Sequence, residues 1–194
     1  DPKKFEEFID LSFANYKNIL KPLGCIYICH PDLKVEAKIT FLNKFVKYFQ
    51  FSSTLIWSKN VAGLGFMDYR AQHEPILYGW KEGEGAHYYC GDRSKTTIWN
   101  IKREATVHYV HPTQKPVKLV EEALLNSSIG KDIVVDLFAG SGSLVIACEN
   151  TGRRSRVMEL DPRYCDVIIQ RWQNYTGKEA LHLESSETYN GRRK

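Results

Sequence analysis

Two short stretches hold the residue types from which a ligand site could be built. Residues 136–143 read Asp-Leu-Phe-Ala-Gly-Ser-Gly-Ser, and His111-Pro112-Thr113-Gln114-Lys115-Pro116 stand upstream of them. Gly140 and Gly142 fall where a strand would turn into a helix. Glycine lets the backbone pass close to a ligand, and a helix N-terminus presents unpaired amides. One strand further on, Glu159 occupies the place at which a carboxylate accepts hydrogen bonds from ribose hydroxyls. The ligand class follows from what the loop does not contain. The dinucleotide fingerprint needs a small residue at its sixth position, which is Val145 here, and no GxxxxGK[ST] run occurs. No lysine or arginine lies within 137–143 to neutralise a phosphate. An uncharged glycine-serine loop suits a zwitterionic amino-acid group better than a pyrophosphate, and S-adenosylmethionine joins such a group to a ribose. For the loop taken alone, a tight turn beside an acidic strand end is the bland alternative.

The flanking elements would have to position this loop. Phe5, Phe8, Ile9, Phe13, Tyr16 and Leu20 recur near a 3.6 period and predict a helix over 4–20. The run GCIYICH at 24–30 reads as a strand buried on both faces and stopped by Pro31. Phe41, Leu42, Phe45, Val46 and Phe49 mark a second helix, and 53–58 and 73–80 read as strands. Helix–strand–helix–strand points to an α/β domain with a parallel sheet and helices on its faces. Residues 81–110 break the pattern. They hold Gly83, Gly85 and Gly91, the aromatics Tyr88, Tyr89 and Trp99, and five cations, and predict a loop-rich insertion rather than a core element. Pro116 suits the first turn of a helix to about Asn126, followed by a strand at 132–137 and a helix ending near Gly152. A further strand is expected at 156–160, then a last helix from Pro162 to about Tyr175, with Gly177 past its end. The polar, basic residues 184–194 are expected to be disordered.

Composition narrows the setting. The chain has 194 residues, 43% hydrophobic and 26% charged, enough for one domain with a full core. No apolar run approaches the roughly 18 residues that span a membrane, and no targeting segment is visible, so a cytoplasmic protein is expected. The net charge of +4 is compatible with a polyanionic partner. Five cysteines form no CxxC pair, which predicts reduced thiols, and Cys25, Cys29 and His30 lack the second ligand pair of a zinc site, so no metal is expected.

HPTQKP, followed by VVDLFAGSGSLVIAC and MELDPRYCDVIIQRW, resembles the beta class of DNA amino-methyltransferases. These enzymes act on the exocyclic amine of adenine or cytosine. Similarity extends to LKPLGCIYICHPD, TLIWSKN and YRAQHEPILYGWKEG with YYCGDRSKTT, the last resembling methylases of phage and mobile elements, and it covers nearly all of residues 5–180. The resemblance implies a Rossmann-like class I methyltransferase fold with a doubly wound, mostly parallel sheet, circularly permuted so that the glycine loop comes late in the chain. It implies S-adenosylmethionine as cofactor and double-stranded DNA as partner, with no membrane association, and it leaves room for a homodimer. By position, Phe138, Gly140 and Gly142 would line the methionine end of the cofactor, beyond Asp136 at the strand end, with Ser141 and Ser143 near its carboxylate. Thr113 and Lys115 would close over it, Glu159 would hold the ribose, and Leu160 and Asp161 would flank the adenine. Tyr69, Arg70, His73 and Glu74 match the segment that forms the pocket for an extruded base. Residues 81–110 fall at the target-recognition region, where Arg93, Lys95, Lys102 and Arg103 suit phosphate contact. On this reading 1–183 form the methyltransferase domain and 184–194 a tail.

Chemistry in this family also needs a tetrapeptide, Asp/Asn/Ser-Pro-Pro-aromatic, which orients the target amine and stacks on the flipped base. None of the seven prolines here are adjacent. The tetrapeptide and the central strand before it are therefore expected upstream of Asp1 in a longer protein, and no catalytic residue is assigned. Adenine is favoured over cytosine from overall resemblance. Two other readings stay open: a catalytically incomplete module that binds cofactor or DNA, and a methyltransferase for RNA or protein. A nicotinamide oxidoreductase is disfavoured by Val145.

Overall fold

The computed structural model describes residues 1–63, 68–82, 87–103 and 114–192. These divide into two compact units, Asp1–Arg103 with Asn126–Ser128, and Glu104–Leu125 with Ile129–Lys194.

In the first unit, Asp1 caps helix α1 (Pro2–Ile19): its carboxylate accepts the Lys3 backbone N–H at 3.0 Å, and Pro2 sits in the first turn, where a missing N–H costs nothing. The α1 face formed by Ile9, Phe13 and Tyr16 is buried, and Phe13 meets Phe45 of helix α2 (Val35–Tyr48) edge-on at 6.3 Å. Charge ties the same pair of helices at the rim, where Lys44 and Lys47 reach Asp10 at 3.2 and 2.8 Å and Lys44 reaches Glu6 at 2.8 Å. The sheet is built from β1 (Cys25–Cys29), β2 (Gln50–Ser58), β3 (His73–Trp80) and β4 (Ile98–Asn100), in the order β1-β3-β2-β4. β3 is antiparallel to both β1 and β2, and β4 is parallel to β2. Three of the four strands thus run one way. The helix–strand–helix–strand pattern pointed to a parallel sheet, but β1 and β2 are separated by β3, which is antiparallel to both. Chain order cannot show this, because the inserted strand arrives later in the sequence. Phe45, Phe49, Trp57 and Leu77 form the most deeply buried part of this unit.

The stretch expected to be a loop insertion is partly core. β4 lies within 81–110, Trp99 is 7% exposed, and Trp57 Nε1 donates to the Ile101 carbonyl at 2.8 Å. Three residues are too few for a strand period to register in the sequence. Asn126–Ser128 also belong to this unit: Tyr27 and Ser127 hydroxyls bond at 2.6 Å, and the Cys90 N–H donates to the Asn126 carbonyl at 3.0 Å.

The second unit begins with most of α3 (Val117–Ser127) and continues through β5 (Ile133–Asp136), α4 (Ser143–Thr151), β6 (Arg154–Val157), α5 (Pro162–Thr176) and α6 (Tyr189–Arg192). β5 and β6 pair in parallel, from Ile133 opposite Arg154 to Asp136 opposite Val157. Leu124, Leu144, Ala147 and Cys148 form its core, with Val117, Val120, Val134 and Val157 packed against them. β6 starts earlier and ends earlier than the expected 156–160. Its exposed arginines at 154 and 156 alternate with the half-buried Ser155 and Val157, so charge disguised where the strand begins. The tail also departs from the expected disorder. Leu181 bridges Thr188, the Ala180 N–H donates to Gln173 Oε1 at 2.8 Å, and Tyr189 Oη donates to Asp166 Oδ1 at 2.8 Å, which brings the chain back onto α5.

Candidate cofactor and base sites

The loop between β5 and α4 is fixed by bonds that its glycines make feasible. Met158 donates its N–H to the Asp136 carbonyl at 2.9 Å, and Ala139 donates to the Met158 carbonyl at 3.0 Å, so the loop stays tied to the chain leaving β6. Phe138 N–H donates to Asp136 Oδ1 at 2.9 Å. Gly140 and Gly142 then take φ of 54° and 75°, in the left-handed region where a side chain is strained. At Gly142 space is tight as well: a Cβ there would lie 3.0 Å from Ile168 of α5, which would have to give by a few tenths of an ångström. The Gly140 N–H donates to Glu159 Oε2 at 2.8 Å, and the Asp161 N–H donates to Glu159 Oε1 at 3.0 Å. Glu159 lies past the end of β6 rather than within it, and both its oxygens are held by backbone amides. A carboxylate oxygen carries two lone pairs, so such a grip orients the group without exhausting it. Asp161 caps α5 by accepting the Arg163 N–H at 2.9 Å.

Phe138, Met158 and Leu160 are apolar yet 53%, 63% and 98% exposed, all on the segments leaving β5 and β6. Burial raises the Asp136 carboxyl above its ordinary range, opposed by the Phe138 amide and aided by the charge of Glu159. Ser141 and Ser143, expected beside a cofactor carboxylate, are buried at 3% and 7% exposure. Arg171 of α5 donates from one guanidinium nitrogen toward the Ser141 carbonyl at 3.1 Å, Ser141 Oγ at 3.3 Å and Ser143 Oγ at 3.4 Å. Ser143 Oγ in turn donates to the Lys115 carbonyl at 2.7 Å, which ties Lys115 to the glycine loop. Gln114 is buried beside it, while Thr113 lies outside the described residues.

The other predicted cluster sits in the first unit, where β1 and β2 end and β3 begins. Tyr69 is 89% exposed and Arg70 is exposed. His73 Nε2 lies 3.2 Å from Asp32 Oδ2, and the same carboxylate receives Lys38 Nζ at 2.6 Å. The hydrogen bond from Lys38, first, and then the Lys38 charge hold the Asp32 carboxyl below its ordinary range, against the effect of burial. Glu74 Oε1 pairs with Lys59 Nζ at 2.7 Å, and Lys59 lies over the Trp57 ring at 5.1 Å. Adjacent strand residues project to opposite faces, so His73 and Glu74 are anchored separately rather than as one cluster. Arg93, Lys95 and Lys102 are exposed, and the Arg103 N–H donates to Asn60 Oδ1 at 2.8 Å.

A family model described as DNA methylase, of N6 and N4 methyltransferases, matches residues 1–171. The chain belongs to this DNA methylase family. Among curated methylases it is 28% identical to the type II methyltransferase M.Cfr9I of Citrobacter freundii, over 56% of this chain and 36% of that protein. It is 27% identical to the DNA adenine methyltransferase YhdJ of Escherichia coli K12, over 96% of this chain and 75% of that protein. The chain thus spans from about a third to three quarters of these relatives' length. The crystal structure of the M1.HpyAVI–SAM complex aligns with a TM-score of 0.70 at 22% identity, covering 82% of this chain and 79% of that one. The fold is therefore the Rossmann-like class I methyltransferase fold that the glycine loop and the HPTQKP segment pointed to. No helix among the described residues of this methylase is long and apolar enough to cross a membrane.

Within the methylase, the tertiary structure brings Lys115, Ser141, Ser143 and Glu159 of the predicted cofactor set around one loop. It also adds three residues that the sequence did not single out. Asp32 and Lys59 follow strand ends and resemble any polar loop residue. Arg171 sits inside an amphipathic helix, where an arginine reads as surface.

Proposed function

We propose that this methylase uses S-adenosylmethionine to methylate the exocyclic amine of a base in double-stranded DNA, with adenine as the target. The observation that supports it most directly is the glycine loop, which turns left-handed at Gly140 and Gly142 into the N-terminus of α4 and whose Gly140 amide is bound to Glu159. The residues present fit the cofactor by their chemistry. Helix α4 starts without a side-chain cap, which leaves backbone donors for a carboxylate. Glu159 is held in a fixed orientation for ribose hydroxyls, exposed Leu160 offers apolar surface for the adenine, and exposed Phe138 offers it for the methionine end. When bound, S-adenosylmethionine supplies an electrophilic methyl on a sulfonium. This chain's part is to hold the donor: Gly140, Gly142, Lys115 and Thr113 around the amino-acid end, Glu159, Leu160 and Asp161 around the adenosine, with Asp136, Ser141 and Ser143 supporting the loop.

Tyr69, Arg70, His73 and Glu74 are proposed for the extruded base, and Arg93, Lys95, Lys102 and Arg103 for the DNA backbone. The preference for adenine draws support from YhdJ, whose name is that of an adenine methyltransferase and whose match runs over 96% of this chain.

The test is methyl transfer by the full-length protein from methyl-labelled S-adenosylmethionine to unmethylated duplex DNA, followed by nucleoside digestion. Label in N6-methyladenine is expected. Label in N4-methylcytosine corrects the base, and label in RNA alone overturns the substrate. Tight cofactor binding with no transfer to any nucleic acid leaves a binding module.

A further inference from the structure

We infer that Arg171 is the positioning residue that sets two parts of the cofactor site, the glycine loop and the backbone at Lys115, at their working distance. The inference rests on the cofactor reading above. The chain of bonds has a single direction. Arg171 has no acceptor atom, so its guanidinium donates to the Ser141 carbonyl, Ser141 Oγ and Ser143 Oγ. The Ser143 hydroxyl proton is committed to the Lys115 carbonyl at 2.7 Å, which leaves its lone pairs to receive Arg171. Aligned donors of this kind polarise one another in a buried setting.

Both serines are almost fully buried, so their oxygens depend on internal partners. Arg171 itself rides on a fixed helix. Its neighbour Trp172 donates Nε1 to Glu149 of α4 at 2.9 Å, and Ile168, one turn earlier, packs where Gly142 leaves space. One cation therefore fastens α5 to the loop and, through Ser143, to the backbone of Lys115. It also adds positive charge beside the N-terminus of α4, where an anionic group of a ligand would be received.

Arg171→Lys keeps the charge but carries it on a shorter side chain, whose ammonium falls short of the place where one terminal guanidinium nitrogen meets all three oxygens. Arg171→Ala removes both. Affinity for S-adenosylmethionine is measured by equilibrium dialysis on the full chain, together with Tm. Arg171→Ala should weaken binding at least tenfold and Arg171→Lys by an intermediate factor, in line with the loss of charge-assisted hydrogen bonds. Added methylguanidinium should restore a substantial part of the binding to the alanine variant and nothing to wild type. Ser143→Ala, which cuts the link to Lys115 without touching charge, should weaken binding too, and the double variant should lose less than the sum.

If the alanine variant does not fold, the lysine and Ser143→Ala variants carry the same comparison. Wild-type affinity retained in all three variants, or binding loss that methylguanidinium does not relieve and that only follows Tm, overturns the positioning role. Failure of the wild-type chain to bind S-adenosylmethionine overturns the cofactor reading and this inference with it.

Discussion

Replacing Gly142 by alanine separates two physical effects that usually arrive together. Its φ of 75° strains any L-residue, at about 1 kcal/mol. Its Cβ would also fall 3.0, 3.1 and 3.3 Å from Cγ2, Cγ1 and Cβ of Ile168. Ile168 is 8% exposed and β-branched on a helix, so it has little freedom to turn away. Forcing atoms into such a packed contact costs about 1–3 kcal/mol, which brings Gly142→Ala to about 2–4 kcal/mol. Gly152 and Gly177 supply the control. Both have φ of 69°, and a Cβ on either meets nothing within 4 Å, so Gly152→Ala and Gly177→Ala should each cost only the conformational part, about 1 kcal/mol. Urea unfolding followed by the fluorescence of Trp172 reads all three on the same unit. Adding Ile168→Ala to Gly142→Ala should recover part of the loss, making the pair less than additive. Equal destabilisation of Gly142→Ala and the two controls, within about 0.5 kcal/mol, would refute the steric argument.

Other substitutions probe the remaining parts of the framework. Glu159→Gln removes the charge that Gly140 and Asp161 amides hold; it should cost about 1 kcal/mol in urea unfolding and weaken S-adenosylmethionine binding. The same change should lower the Asp136 pKa, because burial and then the Glu159 charge raise it, and a carboxyl NMR titration reads the shift directly. Asp10 is held by Lys47 first, then by Tyr48 and Lys44, with its pKa lowered from 3.8 to about 2. The stability contributed by this link between α1 and α2 is therefore complete above the unfolded value and lost as pH falls through about 2. Tm measured from pH 5 downward should show that acid limb, and Asp10→Asn should flatten it.

Much of the framework is legible in the chain. Pro116 and Pro162 mark helix starts, Gly152 and Gly177 mark ends, and the buried face of α1 follows its 3.6 period, because these signals act within one or two turns of backbone. The order of HPTQKP, glycine loop and acidic strand end carried the resemblance to the beta-class DNA amino-methyltransferases, and that resemblance implied the methyltransferase fold. One element escaped and another was displaced, for opposite reasons. β4 is too short to show a period, and β6 carries arginines on its exposed side.

What the sequence determined by itself was therefore local: where helices begin, where the chain must turn left-handed, and which ligand chemistry an uncharged glycine loop can accept. The placement of β3 between β1 and β2, the amide grip on Glu159, the burial of Ser141 and Ser143, and the reach of Arg171 were decided only in three dimensions. Each joins residues distant in sequence, and each follows from the need to satisfy buried polar groups and pack side chains at once, a condition imposed by neighbours that no single segment specifies.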